Sequence, residues 1–336
     1  MNKTQKLIKI FIIIIFLIFS IIKSNIKNNK SQIIKKILLF KIFKKTKKNI
    51  NNISTIFIKG KARFGNYFIG INNAIIYCEF LRCKKIIMEN NNIYINRKIY
   101  YNKSKITIEP NQSFNSKDNN SVILNILFFF YNGFRYLRNI SRMSIFKMQL
   151  LNNLPKIITH PNDLYIYIRG GDIFHNPVPK SGFNYFQPPL CFYVKILNEF
   201  KFRKVFIISQ DTLNYVIPNL LHKYLYVKKK KNNIKIDISY LIHSFNLVAA
   251  RSTFFLTSIK FNDKLKFLWE YDCSNLYQKY LHLHYSKYNS PYFYTIYKMN
   301  SSLNYRKLMF PWINSLNQKH LMTIEKCTKN FDIIRG

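Results

Sequence analysis

The chain has few acidic residues, few glycines and none of the common nucleotide or hydrolase signatures. Its 336 residues include 14 Asp and Glu, 8 Gly and 2 Trp. Neither GxGxxG nor GxxxxGK(S/T) occurs, so a dinucleotide site and a P-loop are not supported. The GxSxG, HExxH and protein-kinase signatures are missing as well. These absences exclude a motif-based assignment to the common hydrolases and phosphotransferases.

The sequence also contains no clear pattern of metal-ligating residues. The seven histidines are scattered, and His282 and His284 would point to opposite sides of a helix. The five cysteines, at positions 78, 83, 191, 273 and 327, form no CxxC pair. We therefore expect no metal and no other cofactor. If the chain is luminal, its cysteines can form disulfides, with one thiol left over.

Positive charge dominates the composition. The chain carries 54 Lys and Arg and a formal net charge of +40, which would draw an anionic ligand, nucleic acid or a membrane surface. It is also crowded with Ile, Asn, Lys, Phe and Tyr, whose codons are A/T-rich, so codon bias accounts for much of this charge. The lysines are dispersed, and we interpret the run Lys228–Lys231 as a solvated loop. A basic nucleic-acid-binding protein is therefore our third hypothesis.

Residues 1–22 are predicted to be a membrane anchor. The stretch Leu7–Ile22 is apolar except for Lys9 and Ser20. Its length suits a signal sequence or a short anchor better than a full span, and no small-x-small cleavage pattern follows it. We expect an uncleaved signal anchor, followed by a basic stem over residues 23–50.

Two signals on membrane orientation disagree. Lysines flank the anchor and are more numerous downstream, which taken literally leaves the rest of the chain in the cytosol. Sequons of the form N-x-(S/T) fit a lumen instead; they include those at Asn52, Asn102, Asn111, Asn119, Asn139 and Asn300. We favour a single-pass type II protein of the Golgi or endoplasmic reticulum, with its main domain in the lumen.

Two series of alternating strands and helices predict an α/β protein. The first has a strand at Ile53–Lys59, a helix at Ile69–Cys83 and a strand at Lys85–Glu89. The second has strands and helices at Leu164–Ile168, Leu190–Phe200, Lys204–Ser209, Thr212–Tyr224, Ile236–Phe245, Leu247–Ala250 and Thr253–Phe261. We expect two Rossmann-like lobes with parallel sheets, at residues 53–160 and 163–272. The tail at 273–336 has no readable motif.

The most informative segment is residues 165–172, Tyr-Ile-Tyr-Ile-Arg-Gly-Gly-Asp. Its alternating apolar part predicts a buried strand that breaks at Arg169. Two glycines let backbone N–H groups approach an oxyanion, while Arg169 offers a bidentate guanidinium. The alternative is that Arg169 pairs with Asp172 and only holds a tight turn.

Four ordered segments resemble the GDP-fucose-dependent fucosyltransferases, a superfamily that includes α1,2-fucosyltransferases and protein O-fucosyltransferases. Residues 62–68 resemble the family's Gly-Arg-(Leu/Phe)-Gly-Asn segment, and residues 167–172 resemble its His-x-Arg-x-Gly-Asp motif. Residues 205–211 resemble its Phe-Ser-Asp-Asp strand end. Residues 237–242 and 250–254 resemble its Asp-x-x-x-Met block and its Asn-Ser-Thr-Phe loop. The resemblance covers about residues 53–261.

The resemblance implies a GT-B-like fold with an acceptor-side lobe at 53–160 and a nucleotide-sugar lobe at 163–272. It implies an inverting, metal-independent glycosyltransferase that moves fucose or a related sugar from a GDP-sugar to a hydroxyl of a glycan or protein. Arg169 would be the catalytic residue, because it would stabilise the departing diphosphate. The implied donor-binding residues are Arg63, Gly65, Asn66, Gly171, Asp172, Ser209, Asp211, Ser252, Thr253 and Phe254.

Several positions depart from the family pattern. Tyr167 replaces the motif histidine, and Gly170 replaces a second arginine found in many members. Gln210 replaces an acid, and Arg251 replaces the asparagine before Ser-Thr-Phe. Because of these changes, the resemblance does not identify the acceptor substrate or the glycosidic linkage. They motivate the alternative of a catalytically inactive, membrane-anchored protein that binds a sugar nucleotide or glycan on the same fold.

Some donor-site candidates also have simpler local interpretations. Asp211 precedes the predicted helix at 212–224 and would be its N-cap. Ser252 or Thr253 would cap the helix that follows them. Such capping roles do not exclude ligand binding.

The anchor prediction can be tested by truncation. Deleting residues 1–22 should convert a protein that pellets with membranes into one that stays in the supernatant, because the longest uncharged apolar run is removed. Ultracentrifugation of the two forms from the same host measures this. A mature N-terminus near Lys23 would instead identify residues 1–22 as a cleaved signal peptide.

Overall fold

The computed structural model describes residues 53–59, 64–89, 98–101, 105–111, 121–125, 151–175, 178, 187–229, 233–250, 252–272 and 294–335. The anchor and stem predicted for residues 1–50 lie outside these ranges, as do Arg63 and Arg251. Among the described residues, no helix has both the length and the apolar character needed to cross a membrane. The chain divides into two compact units, and each contains one sheet.

The sheet of the first unit has five strands. They are β1 (Thr55–Lys59), β2 (Lys85–Glu89), β3 (Ile99–Tyr101), β4 (Ile106–Asn111) and β5 (Ser121–Asn125), in the order β3-β4-β2-β1-β5. β1 pairs in parallel with β2 and β5, and β2 pairs in parallel with β4. Helix α1 (Phe64–Leu81) lies between β1 and β2 in sequence. The predicted strand, helix, strand series is confirmed.

Helix α1 begins five residues earlier than the predicted start at Ile69. The apolar residues Phe64, Tyr67, Phe68 and Ile71 already follow the i, i+3, i+4, i+7 spacing of a helical face. Three of them, Tyr67, Phe68 and Ile71, are buried. The interpretation of residues 62–68 as a loop is therefore wrong from Phe64 onward, and Gly65 and Asn66 lie in the first turn of the helix.

The sheet of the second unit has seven strands. They are β6 (Asp163–Tyr167), β7 (Lys204–Ile208), β8 (Val227–Lys229), β9 (Asn246–Val248), β10 (Phe267–Asp272), β11 (Thr295–Asn300) and β12 (Asp332–Arg335). Their spatial order is β12-β11-β10-β9-β6-β7-β8, and only β12 runs antiparallel to its neighbour. Counted from β8, the parallel strands follow the chain order 3-2-1-4-5-6, which is the Rossmann arrangement.

Helices cover both faces of this sheet. They are α2 (Leu190–Glu199), α3 (Val216–Lys223), α4 (Ile234–His243), α5 (Thr253–Lys260), α6 (Leu303–Met309) and α7 (Leu316–Ile324). Alternate residues of β6 enter two different cores. Leu164 and Ile166 pack with residues of α2, α3, α6 and α7, whereas Tyr165 and Tyr167 pack with residues of α4 and α5. Every residue of β6 is therefore buried, as expected for a central parallel strand.

Most element predictions in the second unit are confirmed to within two residues. The exceptions are β8, which contains Lys228 and Lys229 of the run interpreted as a solvated loop, and α3, which was expected from Thr212 but begins at Val216. The four preceding residues form a turn around the Asn214 side chain, which accepts from Val216 N–H. The tail without a motif also has a defined place, because β11, β12, α6 and α7 extend the sheet and core of this unit.

Four of the five cysteines form disulfides. Cys78 is linked to Cys83, and Cys191 at the start of α2 is linked to Cys327 beyond α7. Cys273 lies outside the described residues. The second link joins segments that are 136 residues apart.

The long disulfide should contribute more to stability than the short one. Replacing Cys191 and Cys327 by alanine should lower the free energy of unfolding by about 5 kcal/mol, because the link restricts a long loop of the unfolded chain. The matched change at Cys78 and Cys83 should cost about 2 kcal/mol by the same effect. Urea denaturation of the two double variants measures both values. A larger loss from the short link would contradict loop closure as the cause.

Candidate functional site

The strand order locates a crevice at the carboxyl ends of β6 and β9. β7 and β8 extend the sheet on one side of β6, while β9 to β12 extend it on the other. The chain runs from β6 to β7 and β8 on one side and then crosses back to β9 on the other side of β6. Open α/β sheets bind ligands at such a switch point. Three predicted site segments lie at the carboxyl ends of these neighbouring strands: 169–172 after β6, 209–211 after β7, and Ser252 after β9.

The ends of β6 and β7 are tied together through Asp211. Its carboxylate accepts from Gly171 N–H at 2.7 Å and from Leu213 N–H at 2.9 Å. A Cβ on Gly170 would lie 2.6 Å from Asp211 Oδ1, so this approach requires glycine. Gly171 has φ +73°, a left-handed conformation that also favours glycine. Asp211 therefore binds two loops together and is not the N-cap of α3, which is a correction of that local interpretation.

We call residues Arg169–Phe174, which follow β6, the arginine loop. The Arg169 guanidinium donates to Asp172 Oδ1 at 2.8 Å, and these side chains are 12% and 33% exposed. This pair matches the alternative interpretation that Arg169 holds the turn. It does not remove Arg169 from the site, because a guanidinium has five donors and its charge remains beside the crevice.

Tyr167 brings β6 into contact with α5. Its ring stacks on Phe254 and Phe255, with centroids 5.4 and 5.6 Å apart. Burial raises the pKa of the Tyr167 phenol, although hydrogen bonds with Ser252 and Arg169 and the Arg169 charge act in the opposite direction. The phenol therefore stays protonated near neutral pH. Both the Arg169 charge and the Ser252 hydroxyl thus act on this phenol.

Ser252 caps helix α5 directly beside the arginine loop. Its hydroxyl accepts from Phe254 N–H at 3.2 Å, which confirms the capping interpretation. The first turn of α5 has no acidic residue, so the positive end of the helix is uncompensated there. Thr253 is the first residue of the helix, and its side chain lies outside the description. The arrangement suits an anion that accepts from both helix N–H groups and a guanidinium.

Ser209 supplies a buried hydroxyl next to Gly170. Its side chain is 5% exposed, and its Oγ has no hydrogen-bond partner within the described part of the chain. A Cβ on Gly170 would lie 3.1 Å from this oxygen. Buried hydroxyls without a partner are unfavourable, so a polar ligand group at this edge would relieve the cost.

Two residues of the site were not predicted from the sequence. Asn214 donates to the Arg169 carbonyl at 3.1 Å, and Gln187 accepts from the same amide at 3.4 Å. Both residues are 1% exposed. In the sequence, Asn214 and Gln187 are simply uncharged amides near the starts of apolar helices. This pattern is too common to identify them as site residues.

The donor-binding roles predicted for the remaining residues stay predictions. Arg63 lies outside the described residues, and the structure describes only the backbone of Gly65 and Asn66, in α1. In the described ranges, no group of three or more His, Cys, Asp or Glu side chains is arranged to hold a metal ion.

The groups in this arrangement are suited to binding a phosphate or diphosphate. A guanidinium, a helix start without acidic residues, a buried hydroxyl and a tyrosine phenol belong to three neighbouring strand ends. No protein family model, no curated protein and no solved structure matches this chain. Its function must therefore be inferred from the chemistry of the site itself.

Proposed function

We propose that this protein is an inverting, metal-independent glycosyltransferase that uses GDP-fucose or a related GDP-sugar. One observation carries the proposal: Arg169 and the Ser252-capped start of α5 follow the neighbouring strands β6 and β9, at the switch point of a sheet with Rossmann strand order. A doubly charged diphosphate matches the donors available there. The proposal extends to a GT-B-like arrangement, in which the first unit would bind the acceptor.

The main catalytic requirement of this reaction is stabilisation of the negative charge on the leaving group, and not a large set of catalytic bases. The bond between the anomeric carbon and the diphosphate oxygen breaks, and an acceptor hydroxyl attacks from the opposite face. Configuration is inverted, the hydroxyl proton passes to solvent water, and negative charge develops on the leaving diphosphate. Arg169 and the N–H groups at the start of α5 would stabilise that charge. This use of Arg169 requires it to share or exchange its ion pair with Asp172.

The proposed location is the lumen of the Golgi or endoplasmic reticulum. Disulfides persist in oxidising compartments and are rare in the cytosol. The links Cys78–Cys83 and Cys191–Cys327 therefore support a luminal catalytic domain. The type II anchor at residues 1–22 belongs to the same proposal.

A second candidate function is a catalytically inactive binding protein for sugar nucleotides or glycans. It is favoured by the arginine pairing, because Arg169 is already engaged with Asp172. Tyr167, which replaces the family's histidine, is buried and protonated. Such a site would keep affinity for an anion without supporting transfer.

A panel of nucleotide sugars separates the two candidates. Thermal stabilisation by GDP-fucose or another GDP-sugar, beyond that given by UDP-sugars, would support a GDP-sugar site. Release of GDP from a labelled donor would then support the enzyme, whereas stabilisation without release would support the binding protein. No stabilisation by any nucleotide sugar would contradict both the enzyme and a sugar-nucleotide-binding protein, and would leave only glycan binding.

Removal of Arg169 should abolish most of the transfer. We expect Arg169→Ala to lower turnover roughly 10²- to 10³-fold, which is typical for loss of one preorganised donor. Arg169→Lys should also fail, because an ammonium cannot reproduce the bidentate guanidinium. Steady-state turnover per folded molecule measures the effect, with the melting temperature of the same sample as a second readout.

Arg203→Ala is the matched control. Arg203 makes two hydrogen bonds with Asp163, at 2.9 and 2.8 Å, and Asp163 lies at the opposite end of the same strand. Its removal leaves the buried Asp163 carboxylate without this partner, so the melting temperature should fall while turnover per folded molecule stays near normal. If Arg169→Ala behaves like Arg203→Ala, Arg169 only holds the turn and the proposed mechanism is wrong.

A further inference from the structure

A buried amide holds the arginine loop from behind. Asn214 Nδ2 donates to the Arg169 carbonyl at 3.1 Å and to Gln187 Oε1 at 3.4 Å. Its Oδ1 accepts from Val216 N–H at 3.0 Å, at the start of α3. Asn214 therefore connects the backbone of the catalytic candidate to the first turn of a helix.

The connection continues into the C-terminal part of the chain. The Gln187 carbonyl accepts from the Tyr305 hydroxyl at 2.9 Å, and Tyr305 is fully buried in α6. These contacts form a polar series from Arg169 through Asn214 and Gln187 to Tyr305. Three segments that are distant in sequence thus meet behind the arginine loop.

The far end of the arginine loop is held by the same part of the chain. Trp312 Nε1 donates to the Ile173 carbonyl at 2.7 Å, and Asn314 Nδ2 donates to the Phe174 carbonyl at 2.8 Å. Trp312 and Asn314 are 0% and 2% exposed. Between the two held ends lie Gly170 and Gly171, which have no side chains to fix the backbone.

We propose that Asn214 is the positioning residue of Arg169 and that the C-terminal segment Tyr305–Asn314 supports it. The consequence for turnover rests on the proposed function, whereas the hold on the loop does not. A guanidinium acts on a leaving group only within a narrow range of positions, and displacement by about 1 Å can cost 10²-fold in rate. Since the side chain follows its backbone, the Asn214 bond to the Arg169 carbonyl sets that position.

A double-mutant cycle tests whether Asn214 acts through Arg169. Asn214→Ala alone should lower turnover about 10- to 100-fold, with the KM for the donor changed much less. In the presence of Arg169→Ala, the same substitution should have almost no further effect, because there is no guanidinium left to position. Independent, multiplicative losses in the double variant would overturn the proposal.

Asn219→Ala is the matched control for the cycle. Asn219 lies in α3, and its amide donates to the Tyr215 carbonyl at 2.7 Å, without a contact to the arginine loop among its described hydrogen bonds. Turnover of this variant should match the wild type. If Asn214→Ala fails to fold, Tyr305→Phe removes only the hydroxyl bond to Gln187. It should show a smaller loss in the same direction.

Hydrogen exchange provides a readout that needs no enzymatic activity. Asn214→Ala should speed exchange of the backbone amides in residues 169–174, including Gly171, without changing exchange in β7 or β9. Unchanged exchange of these amides would overturn the positioning role. If the wild type transfers no sugar from any donor, the proposed function fails, and the exchange experiment alone still decides whether Asn214 holds the loop.

Discussion

The close approach of β6 and β7 at their carboxyl ends is the constraint on which the site depends. The Asp211 carboxylate accepts from Gly171 N–H beside Gly170, where a Cβ would lie 2.6 Å from Asp211 Oδ1, and a Cβ on Gly171 would lie 2.5 Å from Gln210 Oε1. Ser209 Oγ lies beside Gly170, and the Arg169 carbonyl accepts from the Asn214 amide. The Asp211 carboxylate and the two glycines thus fix the backbone after Arg169, and Asn214 holds the Arg169 carbonyl itself.

Regular elements of the second unit were predictable because their signals are local. The alternation from Leu164 to Ile168 sends successive residues to opposite faces, and both faces prove to be buried. The start of α5 was also readable, since Ser252 is a favoured N-cap residue. The starts of α1 and α3 were predicted at the wrong residues. In α1, Gly65 suggested a loop, but the apolar spacing from Phe64 onward already forms a helix. In α3, the turn around Asn214 delays the start of the helix.

Much of the site could not be predicted, because its contacts join distant segments. Nothing near Asn214 indicates that its amide meets a carbonyl 45 residues earlier, and nothing near Trp312 indicates a bond to residue 173. The Arg169–Asp172 pair was foreseen as one of two interpretations, since both residues lie in a short turn. The motif-free tail was the least readable part, although it adds two strands to the sheet.

The position of β6 at the centre of its sheet has a consequence for synthesis of the protein. Leu164 pairs with Val205 on one side, but with Asn246 on the other, far later in the chain. At ribosomal speeds of about 5 to 20 residues per second, β6 has to wait on the order of 10 s for its second neighbour. During that time an aromatic and aliphatic strand has an open edge, which invites pairing with other nascent chains. Chaperones that bind extended apolar segments would find a target at this strand, directly before Arg169, until β9 is synthesised.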